Sequence, residues 1–270
     1  RAPGGGVPTT PGHPGQPPLR DGASLVLAEL RRACRDPSRS VTLAAHFQIF
    51  ELLDAFTATA HPAAPLLFKT LAFSLMEVHA DPELRLPLGR ALEHSLARAP
   101  QLAVGVIVKP YLRQASLYGY TNADFDLLLA VARHAALGSR HAVLLVSFCG
   151  RAALNDALHA RLATLPLLAA ADRFAGDAAV ADSIAALAHE ALTSLAAGRG
   201  SGIRATLAVE LVAKILHLPH AHIAAGLSPL VDAAEASFAA ATGQRHPGLV
   251  ALCGFAAAGA AAGAAGRGAV

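Results

Sequence analysis

Apolar positions recur at helical spacing along almost the whole chain. In the stretch 100–118, Val104, Ile107, Val108, Tyr111 and Ala115 follow i, i+3, i+4, i+7 and i+11, which is one face of a helix. After a break at Gly119–Asn122, Phe125, Leu128, Leu129, Ala132 and Ala135 make a second inner face, with Asp126 and Arg133 opposite. Thr121 or Asn122 is placed to cap that helix, and Asp124 and Asp126 sit where the helix dipole favours negative charge. Gly138 follows its last turn, where a left-handed residue commonly ends a helix. Around Ala142–Phe148 the run is apolar all round, which predicts a helix covered on every side. Pro110 falls inside the first pattern and predicts a kink near Lys109.

The same period continues on both sides. It predicts helices over Ala23–Arg35, Val41–Thr57, Ala64–His79 and Leu84–Ala97, with Pro87 a candidate interruption. Leu43, Phe47, Phe50 and Phe56 are the bulky core candidates of the second. Further along come Asn155–Phe174 (bent or broken at Pro166), Asp177–Ala197, Ile203–Leu218, Ser228–Ala241 and Pro247–Ala262. Few stretches alternate with period two, so strands are not expected. The prediction is an all-α fold of about a dozen helices joined by short turns. Asp-Pro recurs at 36–37 and 81–82, and a helix pair takes about 40–45 residues, the spacing of armadillo and HEAT arrays. An armadillo/HEAT-like α-solenoid is therefore expected, with a globular helical bundle as the alternative. The chain divides into a Pro/Gly-rich linker or arm (1–22), a helical-repeat domain (23–262) and an Ala/Gly tail (263–270).

Composition narrows the function classes. Residues 1–20 hold six prolines and five glycines, too little apolar area to build a core. Net charge is +3, from 22 Lys and Arg against 19 Asp and Glu spread along 270 residues. No block of like charge stands out, which argues against a nucleic-acid partner. Cys34, Cys149 and Cys253 are far apart, form no CxxC pair, and read as reduced thiols of an intracellular, cytoplasmic protein. The uncharged stretch 247–266 is long enough to span a bilayer. Alanine and glycine dominate it, so a packing helix that frays into a tail is expected and no membrane partner. The chain begins with Arg1 and its one methionine is Met76, so a piece of a longer polypeptide is expected.

No complete catalytic set emerges. His217, His220 and His222 make the best metal candidate, since imidazole suits zinc, copper or nickel. No nearby cysteine or carboxylate completes four ligands, and the cluster also reads as a helix C-terminus. No metal or cofactor is therefore expected, and a metal-binding or enzymatic domain built on these histidines is the alternative function. His189-Glu190 lacks the second histidine of HExxH, and the loop Gly198–Gly202 lacks the preceding strand and the lysine of a phosphate loop. What remains is surface. Lys109, Tyr111, Arg113, Tyr118 and Tyr120 gather all three tyrosines beside basic residues, residue types enriched at interface hot spots. They are the candidate partner-binding residues. The competing reading makes Tyr111 core and the other two turn residues.

The segments LLFKTLAFSLMEVHAD, VGVIVKPYLRQ and ADFDLLLAVARHAALGSRHAVLLVSF, within about Leu66–Ala175, resemble the armadillo/HEAT-like helical domains of cilium- and flagellum-associated proteins. That resemblance implies a non-catalytic scaffold in a large assembly, with other axonemal or microtubule-associated proteins as partners.

Overall fold

The computed structural model describes residues 22–78, 81–103, 108, 111–113, 115, 119–156, 158–196, 203–218 and 221–254. Among them the chain is all-helical and contains no strand. The helices are α1 (Gly22–Ala33), α2 (Arg39–Ala58), α3 (Ala64–Glu77), α4 (Pro82–Arg98), α5 (Asn122–His134), α6 (Ser139–Asn155), α7 (Ala160–Arg173), α8 (Ala178–Ala196), α9 (Ile203–Leu216) and α10 (Ala221–Thr242). Helical residues also occur at 102–103, 108, 111–113 and 115, between α4 and α5, and at 247–254.

Short side chains terminate these helices. Asp81 accepts the Glu83 N–H at 3.0 Å to start α4, and Asp177 accepts those of Ala179 and Val180 at 3.0 and 3.2 Å to start α8. Such carboxylates satisfy donors that have no partner within the first turn. At the end of α2 the chain turns through Ala60 at φ 52°, and the His61 N–H reaches back to the Phe56 carbonyl at 2.8 Å.

Packing follows sequence closely. α2 packs on α3 and α4, and α3 packs on α4 and α5. α7 lies against α5 and α6, and α8 lies against α6, α9 and α10. Polar contacts fix the direction of several pairs. Arg39 at the head of α2 meets Asp81 and Glu83 at the head of α4, at 3.3 and 2.5 Å, while Asp54 near the tail of α2 meets Arg98 at the tail of α4, at 2.5 Å. α2 and α4 therefore run parallel. α6 and α8 do the same through Ser139–Asp177 and Ser147–Ser183. Tail meets tail in Arg35–Glu77 (past α1, with α3), Glu93–His134 (α4, α5) and Arg173 with the Ala132 carbonyl (α7, α5). The partners in these contacts are 36 to 44 residues apart in sequence. One apolar cluster runs through the packed helices from Leu27 to Leu252. Buried alanines such as Ala132, Ala142, Ala153, Ala163 and Ala170 let the backbones approach closely.

Several expectations need correction. α4 continues through Pro87 and α7 through Pro166. α7 begins at Ala160, because Asp156 accepts the N–H groups of Leu158 and His159 and holds a turn there. α10 begins at Ala221, ahead of Ser228, and carries Pro229 inside it. Gly138 is not left-handed: at φ −85°, ψ 165° it is the extended N-cap residue of α6. α6 is not covered on every side, since Arg140, Leu144 and Arg151 form an exposed stripe. The Pro110 kink, the loop Gly198–Gly202, residues 1–20 and the tail from 255 lie outside the described residues. No described helix is long and apolar enough to cross a membrane.

Candidate functional site

Of the five predicted surface residues, Lys109 and Tyr118 lie outside the described residues. Tyr111 is fully buried, so it presents nothing to a partner. Its ring packs 5.8 Å from Phe73, and its hydroxyl donates to the Asp124 carboxylate. Burial, and then the Asp124 charge, push its pKa well above the usual tyrosine value. Arg113 is exposed. Tyr120 is partly covered, edge-on to Phe125, Phe148 and His159 at 5.4, 5.9 and 5.5 Å. The structure thus splits the group: Arg113 stays available, Tyr111 is core, and Tyr120 belongs to an aromatic cluster.

Asp124 joins the elements here. It is buried, yet it accepts three hydrogen bonds: from Tyr111, from the Thr121 N–H at 2.6 Å and from the Thr121 hydroxyl at 2.9 Å. A buried carboxylate is tolerable when its oxygens are satisfied in this way. Asp156 next to the aromatic cluster behaves comparably. Burial raises its pKa, but the His159 ring at 2.8 Å and two backbone N–H groups outweigh that and hold it below the usual carboxylate value.

The thiols are poor nucleophiles. Burial raises Cys34 to about 11 and pushes Cys149 higher still. Cys253 is raised to about 11, by burial and then by Asp232. Among the described residues no three His, Cys, Asp or Glu side chains gather to hold a metal. His217 is exposed, and the placements of His220 and His222 that a shared site would need lie outside the described set.

The most distinctive surface is between α2 and α4. α2 buries Ala45, His46, Ile49 and Leu53, a stripe at helical spacing. Leu43, Phe47 and Phe50, expected in the core, form a second apolar stripe that faces outward instead. Phe47 is 52% exposed, and Leu43 and Phe50 are half-buried. On α4 the facing stripe is Leu84, Pro87, Leu88 and Ala91, and these residues with Glu83 and His46 close a groove of about 70 Å³. The ion pairs at both ends of α2 and α4 hold its walls in register. Two features give the groove polarity. His46 Nδ1 lies 2.7 Å from the Thr42 carbonyl, and a carbonyl only accepts, so the proton is on Nδ1. Nε2 is buried without a hydrogen-bond partner. Pro87 has no N–H to give the Glu83 carbonyl one turn back.

Sequence reasoning missed this surface because α2 carries two apolar stripes, and bulk alone favoured the wrong one. The clue was available: 45, 49, 53 and 56 keep the period as well as 43, 47 and 50. A helix apolar over such a wide arc has more to cover than its own core supplies.

Fold and groove define a broad class, an all-helical chain whose neighbours in sequence are neighbours in space. Comparison with family models, with curated proteins and with solved structures found no match.

Proposed function

We propose that the chain is a non-catalytic helical-repeat scaffold that holds other proteins within a large assembly. The supporting observation is the recurrence of parallel contacts between helices whose residues are 36 to 44 positions apart. In an armadillo/HEAT-like α-solenoid each unit touches only its neighbours, and the array offers a long surface rather than a single pocket. The groove between α2 and α4 is the docking surface we favour, with exposed Arg113 a further contact. Its apolar lining and exposed phenylalanine are what interface anchors require. The likeness of Leu66–Ala175 to cilium- and flagellum-associated domains makes an axonemal or microtubule-associated assembly the first place to look.

The test is affinity capture from ciliated cells with the intact chain and with Phe47→Asp. The reading expects discrete partners on the intact chain and their loss on the variant, with helical content by circular dichroism unchanged. Capture of nothing by the intact chain, or a variant that retains every partner, contradicts it. Surface substitutions away from caps and core usually change stability by less than about 0.5 kcal/mol, so loss of binding would not reflect unfolding.

A further inference from the structure

The groove needs an occupant that is apolar and narrow. Residues 1–20 of this chain have that chemistry. Pro8, Pro11, Pro14 and Pro17 recur every third residue, and a polyproline II helix has three residues per turn. In that conformation all four prolines fall on one face. Thr9, Thr10, Gly12, His13, Gly15 and Gln16 stand between them. Grooves lined by aromatic residues recognise extended proline-rich segments because little ordering entropy is lost on binding.

Connectivity allows the contact within one molecule. The arm ends where α1 begins, and α1 packs on α2, which forms one wall of the groove. Twenty residues of polyproline II reach about 60 Å at ~3.1 Å per residue, while α2 with its 20 residues spans only about 30 Å. A short tether supplies an effective concentration in the millimolar range, so even weak recognition fills the site. We propose that residues 8–18 dock in the groove between α2 and α4 of their own chain, against Phe47 and Phe50. This rests on reading the groove as a docking surface. It makes the arm an internal competitor, which a partner displaces.

The experiment places a photo-reactive benzoylphenylalanine at position 47 of the full chain, with a second chain carrying it at Leu165 on α7 as control. Irradiation of the monomer, followed by peptide mass spectrometry, should link position 47 to residues 8–18 and should not link position 165 to them. Replacing Pro11, Pro14 and Pro17 by Asp should lower that link roughly tenfold, one decade in equilibrium constant. Links from position 47 confined to neighbouring helices, links to the arm of another copy, or a yield unchanged by the triple substitution overturn the proposal. If position 47 links a captured partner in the assembly but never the arm, this inference fails and the docking reading stands. If it links neither, both fail.

Discussion

The stretch α1–α4 and the stretch α5–α8 obey the same stacking rule but finish their surfaces differently. In the first, six large apolar residues are exposed: Leu25, Val26, Val41, Phe47, Leu66 and Leu86. Solvent-exposed ion pairs bind its helix ends, and one buried imidazole nitrogen has no partner. In the second, a buried carboxylate has every donor it needs. Gly150 is pressed so closely on Leu187 that there is no room for a side chain. The middle satisfies its buried polar groups and packs without room to spare, while the N-terminal part leaves an apolar flank uncovered.

Breaking the middle should have the largest effect. Asp124→Ala removes the acceptor from three donors, two of them local to the α5 start and one from Tyr111 on a different helix. Breaking such a buried, hydrogen-bonded group is expected to lower unfolding free energy by about 3–5 kcal/mol. Tyr111→Phe leaves the carboxylate two donors and should remove about 1–3 kcal/mol. Urea unfolding followed by circular dichroism measures both. Values under about 0.5 kcal/mol would mean that this buried network does not hold the centre together.

Gly150→Ala tests the close approach of α6 and α8 directly. A Cβ there would stand 2.2 Å from one Leu187 methyl and 2.9 Å from its Cγ. Leu187 is buried, so the whole side chain must shift. Overpacking costs about 1–3 kcal/mol, against about 1 kcal/mol gained by replacing a helical glycine. A net loss of about 1 kcal/mol is expected. Adding Leu187→Ala should give a double variant more stable than the sum of the two single effects, which a mutant cycle reads as coupling.

Much of the fold was legible in the sequence because helical periodicity survives in a chain whose turns are short. The helices Asn122–His134 and Ser139–Asn155 were delimited by Thr121, Asp124 and Gly138, although the glycine acts as an extended cap for the next helix rather than as a left-handed end. The limits of that reading are physical. Periodicity finds an apolar stripe but cannot say which of two stripes on α2 faces the core; that depends on what α3 and α4 bring to it. Pro87 was read as a candidate interruption and Pro166 as a bend or break, and both helices continue through their proline. Tyr111 left the predicted surface group because it shares a face with Val108 and Ala115, a core spacing already present in the sequence.

A smaller effect, of opposite sign, belongs to the N-terminal part. Ala60 is the one described non-glycine residue at positive φ, where an L side chain is strained by about 1–2 kcal/mol. Glycine relieves that strain but adds freedom to the unfolded chain, so Ala60→Gly should stabilise by about 0.5–1 kcal/mol. Thermal melting reads it as a raised midpoint. A lowered midpoint would show that the turn after α2 does not need its left-handed residue.

The smallest effect distinguishes how the two parts hold their helix ends together. Asp177, which starts α8, takes a hydrogen bond from Ser139 of α6 at 3.1 Å and others from Val180 and Ala179. The Ser139 hydroxyl first, then the Val180 N–H, hold its carboxyl below the usual carboxylate value. A pKa lowered in the folded state means the carboxylate contributes fully above the unfolded value of about 3.9. That contribution is lost as pH falls through the folded value. Asp177→Asn keeps an acceptor but cannot titrate, so its urea midpoint should decline less than that of the unaltered chain between about pH 5 and pH 2.5. Salt supplies the contrast. Arg35–Glu77, at 2.6 Å between exposed side chains, should weaken in about 1 M NaCl, where the screening length is near 3 Å. The destabilisation caused by Glu77→Gln, at most about 1 kcal/mol, should then vanish. The Asp177→Asn difference below pH 4 should persist in the same salt, because hydrogen bonds from the Ser139 hydroxyl and two backbone N–H groups carry it. If both differences disappear together in salt, the two parts do not differ in how their ends are tied.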